Sequence, residues 1–444
     1  METYKFDKSY EWFERACKVI PGGVIGHKHP AFTVPGSYPY FASRGEGSHY
    51  WDPDGNEYID WMCGFGPMVL GYNNPVVDAA AQEQAKLGDG MSHPGPISIE
   101  YAEMMVNLTK GMDWCVYGKN GADITTWCMR LAREYTGRKK ILIVRGAYHG
   151  AQAWSTPSYG GIIDEDRTHV HFFEWNNLDS FMELINTYKG QVAGVMMTPY
   201  HHCIYADQQM PAPGWWETID KVCKQEDLIL ISDDVRAGFR LNMAGSHAHF
   251  GYEPDLVCYS KAIANTYPIS AGLGTKKLKE TAEHVLFTGT FFSSMVPMAA
   301  SIATVKEMQR LDGINYMMKI GKALCDGLVS VGKSHGRRYF SMSFVSFMNL
   351  PSFPMFQNPH IMGITVPVFS IILLAASGVG ILSEMVGMLT APSFASHFPS
   401  LKTNLTPAPP GTCIWIVQFQ PFVSSRASAS YAIISSSCGR TALR

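Results

Sequence analysis

The sequence predicts an α/β protein, with a mostly parallel central sheet flanked by helices. Three observations carry this. Short apolar runs of strand length recur at 141–144, 192–197 and 228–231, and 256–259 and 269–273 are two further candidates. Such runs suit strands buried on both faces. Helical segments at 178–188 and 215–225 lie between them, and this alternation is what parallel strands joined by crossover helices produce. Over residues 1–338 the charge content is that of an ordinary globular chain, since this part holds 32 of the 36 basic and 37 of the 38 acidic residues.

Composition narrows the classes further. A chain of 444 residues with 46% hydrophobic content and a net charge of −2 is neither a disordered acidic nor a disordered basic chain. Its length predicts two or more domains, and its charge gives no reason to expect a nucleic-acid partner. The first eight residues are charged and lack an apolar run, so no secretory signal is expected and the reading is cytoplasmic. Ten cysteines are scattered without a C-x-x-C pair, which predicts reduced thiols rather than a zinc ribbon or a disulfide framework. His201 and His202 beside Cys203 lack a further ligand at suitable spacing, so no metal site is expected.

The charge pattern breaks after Arg338. Residues 339–444 carry only Glu384, Lys402, Arg426, Arg440 and Arg444. Within them 361–382 is apolar over the roughly 20 residues that a membrane span needs. A membrane anchor, a buried part of an ordinary domain and a stretch read out of frame all stay open, and the abruptness of the change favours the last. The organisation expected is an N-terminal segment at 1–60, a large domain at 61–325 and an anomalous C-terminal region at 326–444.

Taken in chain order, 45–61 (GEGSHYWDPDGNEYIDW) reads as a hairpin, two aromatic-rich strands around the turn Asp52-Pro53-Asp54-Gly55-Asn56. Residues 124–135 read as an amphipathic helix, because Ile124, Trp127, Cys128, Leu131, Ala132 and Tyr135 fall on one face. Ligands of open parallel sheets bind beyond the carboxyl ends of the strands, so the residues after each run matter most. After the run at 141–144 come Tyr148 and His149, and after that at 228–231 come Asp233, Asp234 and Val235. Ser260 and Lys261 follow the run at 256–259, and Asn120, Gly121 and Ala122 open the amphipathic helix. A glycine at a helix start offers N–H groups to an anion. A lysine, a carboxylate, an aromatic ring and an anion cup at one sheet edge are what pyridoxal phosphate (PLP) requires. Singly each is commonplace; together, in this order, they are specific.

With that set assembled, residues 10–335 resemble the class III aminotransferases of PLP-dependent fold type I, and most closely the glutamate-1-semialdehyde aminomutase branch. Pro21-Gly22-Gly23-Val24 resembles the PGGV of that branch, 50–61 is similar to its D-x-D-G-x-x-Y-I-D segment, and Gly71-Tyr72-Asn73-Asn74-Pro75 is similar to its GHxHP turn. The resemblance implies that Lys261 forms the Schiff base and moves the substrate proton. It implies that Asp233 holds the pyridine nitrogen protonated, that Val235 and Tyr148 pack on the two ring faces with His149 beside them, and that Asn120, Gly121 and Ala122 contact the phosphate. Thr288-Gly289-Thr290-Phe291 resembles the loop that completes the neighbouring subunit's phosphate site, so Thr290 and a homodimer are implied.

Departures from the pattern accompany it. The cup is Asn-Gly-Ala where the family has Ser-Gly-Thr or Ser-Gly-Ser, and Asp234 replaces a glutamate. Lys28 or His29 stands near the place of the branch's substrate-carboxylate arginine, although neither matches a bidentate guanidinium. The family's small C-terminal domain has no recognisable counterpart after Arg338. The function expected is amino-group transfer from a small-molecule amine to a carbonyl acceptor. Alternatives are an intramolecular aminomutase or racemase, a membrane-anchored non-enzyme, and an inactive product of a faulty frame.

Overall fold

The computed structural model describes residues 4–25, 40–202, 208–334, 401–405, 412–419 and 431–437. Lys28, His29, Cys203 and the apolar stretch 361–382 lie outside the described residues. The chain divides into two compact units, Met1–Pro354 and Met355–Arg444. Of the second, three antiparallel strands are described, β11 (Leu401–Leu405), β12 (Thr412–Phe419) and β13 (Tyr431–Ser437), paired in that order.

The first unit opens with helix α1 (Asp7–Cys17) and a three-stranded antiparallel sheet, β1 (Arg44–Glu46), β2 (His49–Trp51) and β3 (Glu57–Ile59). The expected hairpin is β2–β3, with Trp51 opposite Glu57. Its turn is held by Asp52, whose Oδ1 accepts from the N–H groups of Asp54 (3.0 Å) and Asn56 (2.8 Å). Helices α2 (Pro75–Leu87) and α3 (Ile97–Leu108) follow.

The large sheet has seven strands. In chain order they are β4 (Trp114–Gly118), β5 (Lys140–Val144), β6 (Val170–Phe173), β7 (Val192–Met197), β8 (Ile229–Asp233), β9 (Leu256–Tyr259) and β10 (Ser270–Gly274). In space they run β4-β10-β9-β8-β7-β5-β6, parallel throughout except that β10 is antiparallel to both neighbours. Helices α4 (Gly121–Thr136), α5 (Leu178–Thr187), α6 (Trp215–Gln225), α7 (Ser246–Phe250), α8 (Lys279–His284), α9 (Val296–Arg310) and α10 (Gly313–Ser334) complete the unit.

Alternation along the strands explains the two covering layers. Ile141, Ile143, Ile229 and Ile231 pack with Ile124, Trp127 and Leu131 of α4. Leu142, Val144, Val195 and Leu230 point the other way, onto Phe181 and Ile185 of α5 and Trp215 and Ile219 of α6. The continuous apolar runs thus reflect burial on both faces. At Gly274 of β10 an added Cβ would collide with the Trp114 ring, so the glycine lets this reversed strand lie flush on β4. Among the described residues no helix is long and apolar enough to cross a membrane.

Candidate active site

The site residues gather at the carboxyl ends of β4, β5, β8 and β9. Asp233 is the last residue of β8 and is buried. Its Oδ1 accepts from the Val235 N–H at 3.1 Å, and its Oδ2 lies 2.7 Å from His149 Nδ1. His149 is itself buried, its ring is nearly parallel to that of Trp154, and its carbonyl accepts from Thr125 Oγ1 at 2.6 Å. The carboxylate is therefore held from two sides. Each oxygen still has a lone pair to offer a ring N–H.

Lys261 follows β9 after a single residue. It adopts a left-handed backbone, φ 52°, which a non-glycine residue reaches only when its surroundings impose it. Its Nζ donates to the Phe65 carbonyl at 3.2 Å. Burial, then the charges of Arg236 and Arg240, pull its pKa down to about 7, against an opposing pull from Asp233. A substantial fraction of the amine is therefore unprotonated, and nucleophilic, at neutral pH.

The Phe65 carbonyl is positioned by a chain of bonds that begins at Asp60. Asp60 Oδ1 accepts from the Met62 (2.8 Å) and Cys63 (3.1 Å) N–H groups, while Oδ2 accepts from Gly64 N–H (3.2 Å) and the Tyr72 hydroxyl (2.5 Å). The segment so pinned carries positive φ at Cys63 (48°) and Phe65 (70°). Arg240 donates to the Gly66 carbonyl, and to that of Gly238 at 3.0 Å. Asn265 ties the lysine turn to the same segment, accepting from Leu70 N–H and donating to the Gly71 carbonyl, both at 2.9 Å.

The anion cup lies at the start of α4. Asn120 caps the helix by accepting from Asp123 N–H at 3.3 Å, and Asp123 Oδ2 accepts from the N–H groups of Lys119 (3.1 Å) and Asn120 (3.0 Å). That leaves the Gly121 and Ala122 N–H groups without a partner among the described residues, at the positive end of a 16-residue helix. A Cβ added at Gly121 would lie 2.7 Å from Val235 Cγ1, and one added at Gly150 would lie 2.6 Å from the Cβ of Ala122. The cup is thus closed against the residue that follows Asp233 by two places.

Gly121 therefore meets Val235, Ala122 meets Gly150, and Asp233 meets His149 and Val235, which links these residues into one cluster. Tyr148 is 43% exposed; burial and then the Asp233 charge raise its pKa. Thr290 is exposed, in the loop between α8 and α9. The base of that loop is fixed to α4, since Trp127 Nε1 donates to the Val285 carbonyl at 3.0 Å. Sequence reasoning placed 61–68 at the pocket but missed Asn265 and the bond from Lys261 to the Phe65 carbonyl, which no local signal marks. It also missed Arg236 and Arg240, whose signal was two arginines four residues apart directly after a buried strand end.

An anion cup, a buried carboxylate and a depressed-pKa lysine at adjoining strand ends fit a flat ring that carries a phosphate. The comparisons decide the family. The family description "Aminotransferase class-III" matches residues 33–340. The chain belongs to the class III aminotransferases. Members of this family are PLP-dependent, and named aminotransferases stand among its relatives. The chain is 41% identical over 323 residues to an aminopentol aminotransferase of Sphingopyxis macrogoltabida, covering 73% of this chain and 76% of that one. It is 32% identical over 344 residues to a glutamate-1-semialdehyde 2,1-aminomutase of Acetivibrio thermocellus, covering 73% and 79%. Among solved structures, the PLP internal aldimine form of the FumI protein of Sphingopyxis sp. MTA144 superposes with a TM-score of 0.73 at 40% identity, over 74% of this chain and 80% of that one.

Proposed function

We propose that this class III aminotransferase moves an amino group from a primary amine to a separate carbonyl acceptor, with Lys261 as the residue that attaches the cofactor. The observation that carries the reading is the buried Lys261 amine, its pKa lowered to about 7, next to a carboxylate held by His149 and Val235. Bound PLP supplies a carbonyl that can take up an amino group and a ring that withdraws electrons. The rest is done by side chains. Asp233, kept in place by His149, would pair with the ring nitrogen and hold a proton on it. The Gly121 and Ala122 N–H groups bind the phosphate together with the α4 dipole, which offsets the missing hydroxyls of the usual cup. Tyr148 and Val235 cover the ring faces. The Lys261 amine would take the proton from the substrate carbon that bears nitrogen and deliver it to the carbon on the far side of that nitrogen. The Phe65 carbonyl orients the lysine.

The higher identity to an aminotransferase than to an aminomutase supports transfer between two molecules. The test is the visible spectrum of the PLP-loaded full chain beside Lys261→Ala. A yellow band confined to the wild type, bleached by an amine donor and restored only when a carbonyl acceptor is added, supports the reading. Turnover of one substrate without an acceptor would overturn it in favour of an aminomutase or racemase.

We further propose that residues 61–325 form the catalytic domain and that the working unit is a homodimer. Leu286 and Phe291, 71% and 67% exposed on the loop that carries Thr290, support a loop made to meet a second copy. Sedimentation of the loaded protein as a monomer would overturn the dimer. A cytoplasmic setting fits Cys17, Cys63, Cys115, Cys128, Cys223, Cys258 and Cys325, all free thiols.

A further inference from the structure

The edge of the large sheet away from the active site carries cations that amino transfer does not use. Arg130 and Arg133 lie three residues apart on the last turns of α4, Gly137 ends the helix with φ 66°, and Arg138 and Lys139 lead into β5. With Glu134, the one carboxylate in its wall, they line a surface groove of about 490 Å³. The three arginines are braced on backbone. Arg130 Nη1 donates to the Leu286 carbonyl (3.1 Å) and Arg133 Nε to that of Lys139 (2.8 Å). Arg138 Nη1 donates to the carbonyls of Val192, Glu226 and Asp227 (3.2, 2.9 and 3.0 Å). Each guanidinium is thereby oriented, and keeps further N–H groups for a ligand. Little negative charge answers them. Among the described residues Arg130, Arg133, Lys139 and Glu134 form no ion pair, and Arg138 Nη2 reaches Asp227 Oδ2 only at 4.0 Å. The carboxyl end of α4 adds roughly half a negative charge. The excess extends to His169, just before β6, whose pKa is lowered by burial and then by the charges of Lys140, Arg133 and Lys139.

We propose that this groove binds a small molecule by its di- or triphosphate group. Three features set the ligand class. Guanidinium forks match phosphate oxygens two at a time. Four cations against Glu134 and the distant Asp227 leave an excess that suits an anion of more than one charge. The wall holds no apolar side chain, so the phosphates and not the rest of the ligand are what it recognises. Because the arginines are held before a ligand arrives, little side-chain freedom is lost on binding. The groove and the cofactor's phosphate cup lie at opposite ends of the 16-residue α4, roughly 24 Å apart, so the two anion sites are separate.

The test uses the PLP-loaded full chain, so that the cup is filled, and titration calorimetry with pyrophosphate and, separately, ADP. Pyrophosphate is expected to bind at one site per chain with a dissociation constant below about 1 mM at low salt, and several-fold more weakly near 150 mM salt. Arg130→Gln and Arg133→Gln should each weaken binding by about tenfold, and Arg133→Lys by less than Arg133→Gln. The rise in melting temperature that pyrophosphate gives should shrink in the same order, whatever the melting temperature of each ligand-free variant. ADP that binds like pyrophosphate means that the phosphates alone are read; ADP that binds more tightly assigns the groove to a nucleotide. Either result upholds the proposal. No binding of pyrophosphate up to about 10 mM, or binding that the variants leave unchanged, overturns it. So does displacement of pyrophosphate by equimolar sulfate, which would mean an adventitious ion only. Loss of the visible band of bound PLP during the titration would place pyrophosphate in the cup and overturn the proposal too. Binding of duplex DNA that the variants abolish, with none of pyrophosphate, would give this face to a polymer instead.

Discussion

The two ends of the site are built on opposite terms. At the α4 end, Asn120 and Asp123 satisfy each other's backbone, Thr125 reaches the His149 carbonyl, and Gly121 and Gly150 sit in side-chain contact. Among the described residues, the two N–H groups meant for an anion and His149 Nε2 are left over. At the Lys261 end, Lys261, Phe65, Phe239, Asn265 and Thr266 all take positive φ without being glycine. There Arg236 Nη2 and His202 Nδ1 are buried with no partner among the described residues. One end only has to hold a ligand and is packed and capped like any helix start. The other has to react, and it carries strain and buried charge that the rest of the fold must offset.

If that contrast is right, damage at the reactive end should cost rate, and damage at the cup should cost cofactor affinity. The largest effect is expected from Lys261→Ala, with kcat lowered by about 10⁴-fold or more, since both the attachment point and the proton carrier are lost. A steady-state assay with any accepted amine–keto acid pair measures it, and a loss below tenfold would remove Lys261 from the chemistry.

Next is the pair of adjacent aspartates. Asp233→Asn should lower kcat by about 10²- to 10⁴-fold, because an amide cannot hold a ring nitrogen protonated. Asp234 is equally buried but belongs to the scaffold, and burial raises its pKa to about 6. Asp234→Asn weakens one of the two bonds to Ser246 and should cost about 1–3 kcal/mol of stability with kcat changed far less. Chemical denaturation together with kcat separates the two. Equal kcat losses would mean that the neighbours share one role.

At the cup, Gly121→Ala places a methyl group 2.7 Å from Val235 Cγ1, so either α4 or Val235 must move. PLP affinity is expected to fall by about tenfold, the order of 1.4 kcal/mol, with kcat at saturating PLP little altered. Adding Val235→Ala should restore most of the affinity, since it removes the atom that clashes. A double variant no better than the single one would show that the glycine is needed for backbone approach to the phosphate rather than for room beside Val235.

The contrast also explains what could be read in advance. The helices at 178–188 and 215–225 and the strand 256–259 were legible because doubly buried strands and amphipathic helices write their periods into the chain. The strands Trp114–Gly118 and Val170–Phe173 were missed. The first is only partly buried along its middle and the second holds a histidine at the sheet edge, so neither forms a clean apolar run. Lys261, Asp233 and Gly121 could be proposed as site residues because their types suit the chemistry and each lies at or beside the end of a legible element. The bond between His149 and Asp233 joins residues 84 apart, and that between Lys261 and the Phe65 carbonyl joins residues 196 apart. Any residue can supply a carbonyl, so the second leaves no mark in the sequence.

The smallest effect tests the cost of the reactive end directly, without cofactor or substrate. In the unfolded chain Lys261 has the ordinary lysine pKa of about 10.4, whereas in the fold it is lowered to about 7. Between those values the unfolded state binds a proton that the folded state does not, so protons favour unfolding and this residue's contribution to stability improves as pH rises. Below about pH 7 both states are protonated and the buried charge exerts its full penalty. Lys261→Met keeps the length of the side chain and removes the charge. Cofactor-free Lys261→Met is therefore expected to melt a few degrees above wild type at pH 6.5, with the gap narrowing steadily towards pH 10. Other groups titrate over that range in both proteins, so the difference between the two curves isolates Lys261. A gap that does not depend on pH would mean that the amine is solvated and its pKa ordinary. The lysine end would then carry its cost in backbone strain rather than in Lys261.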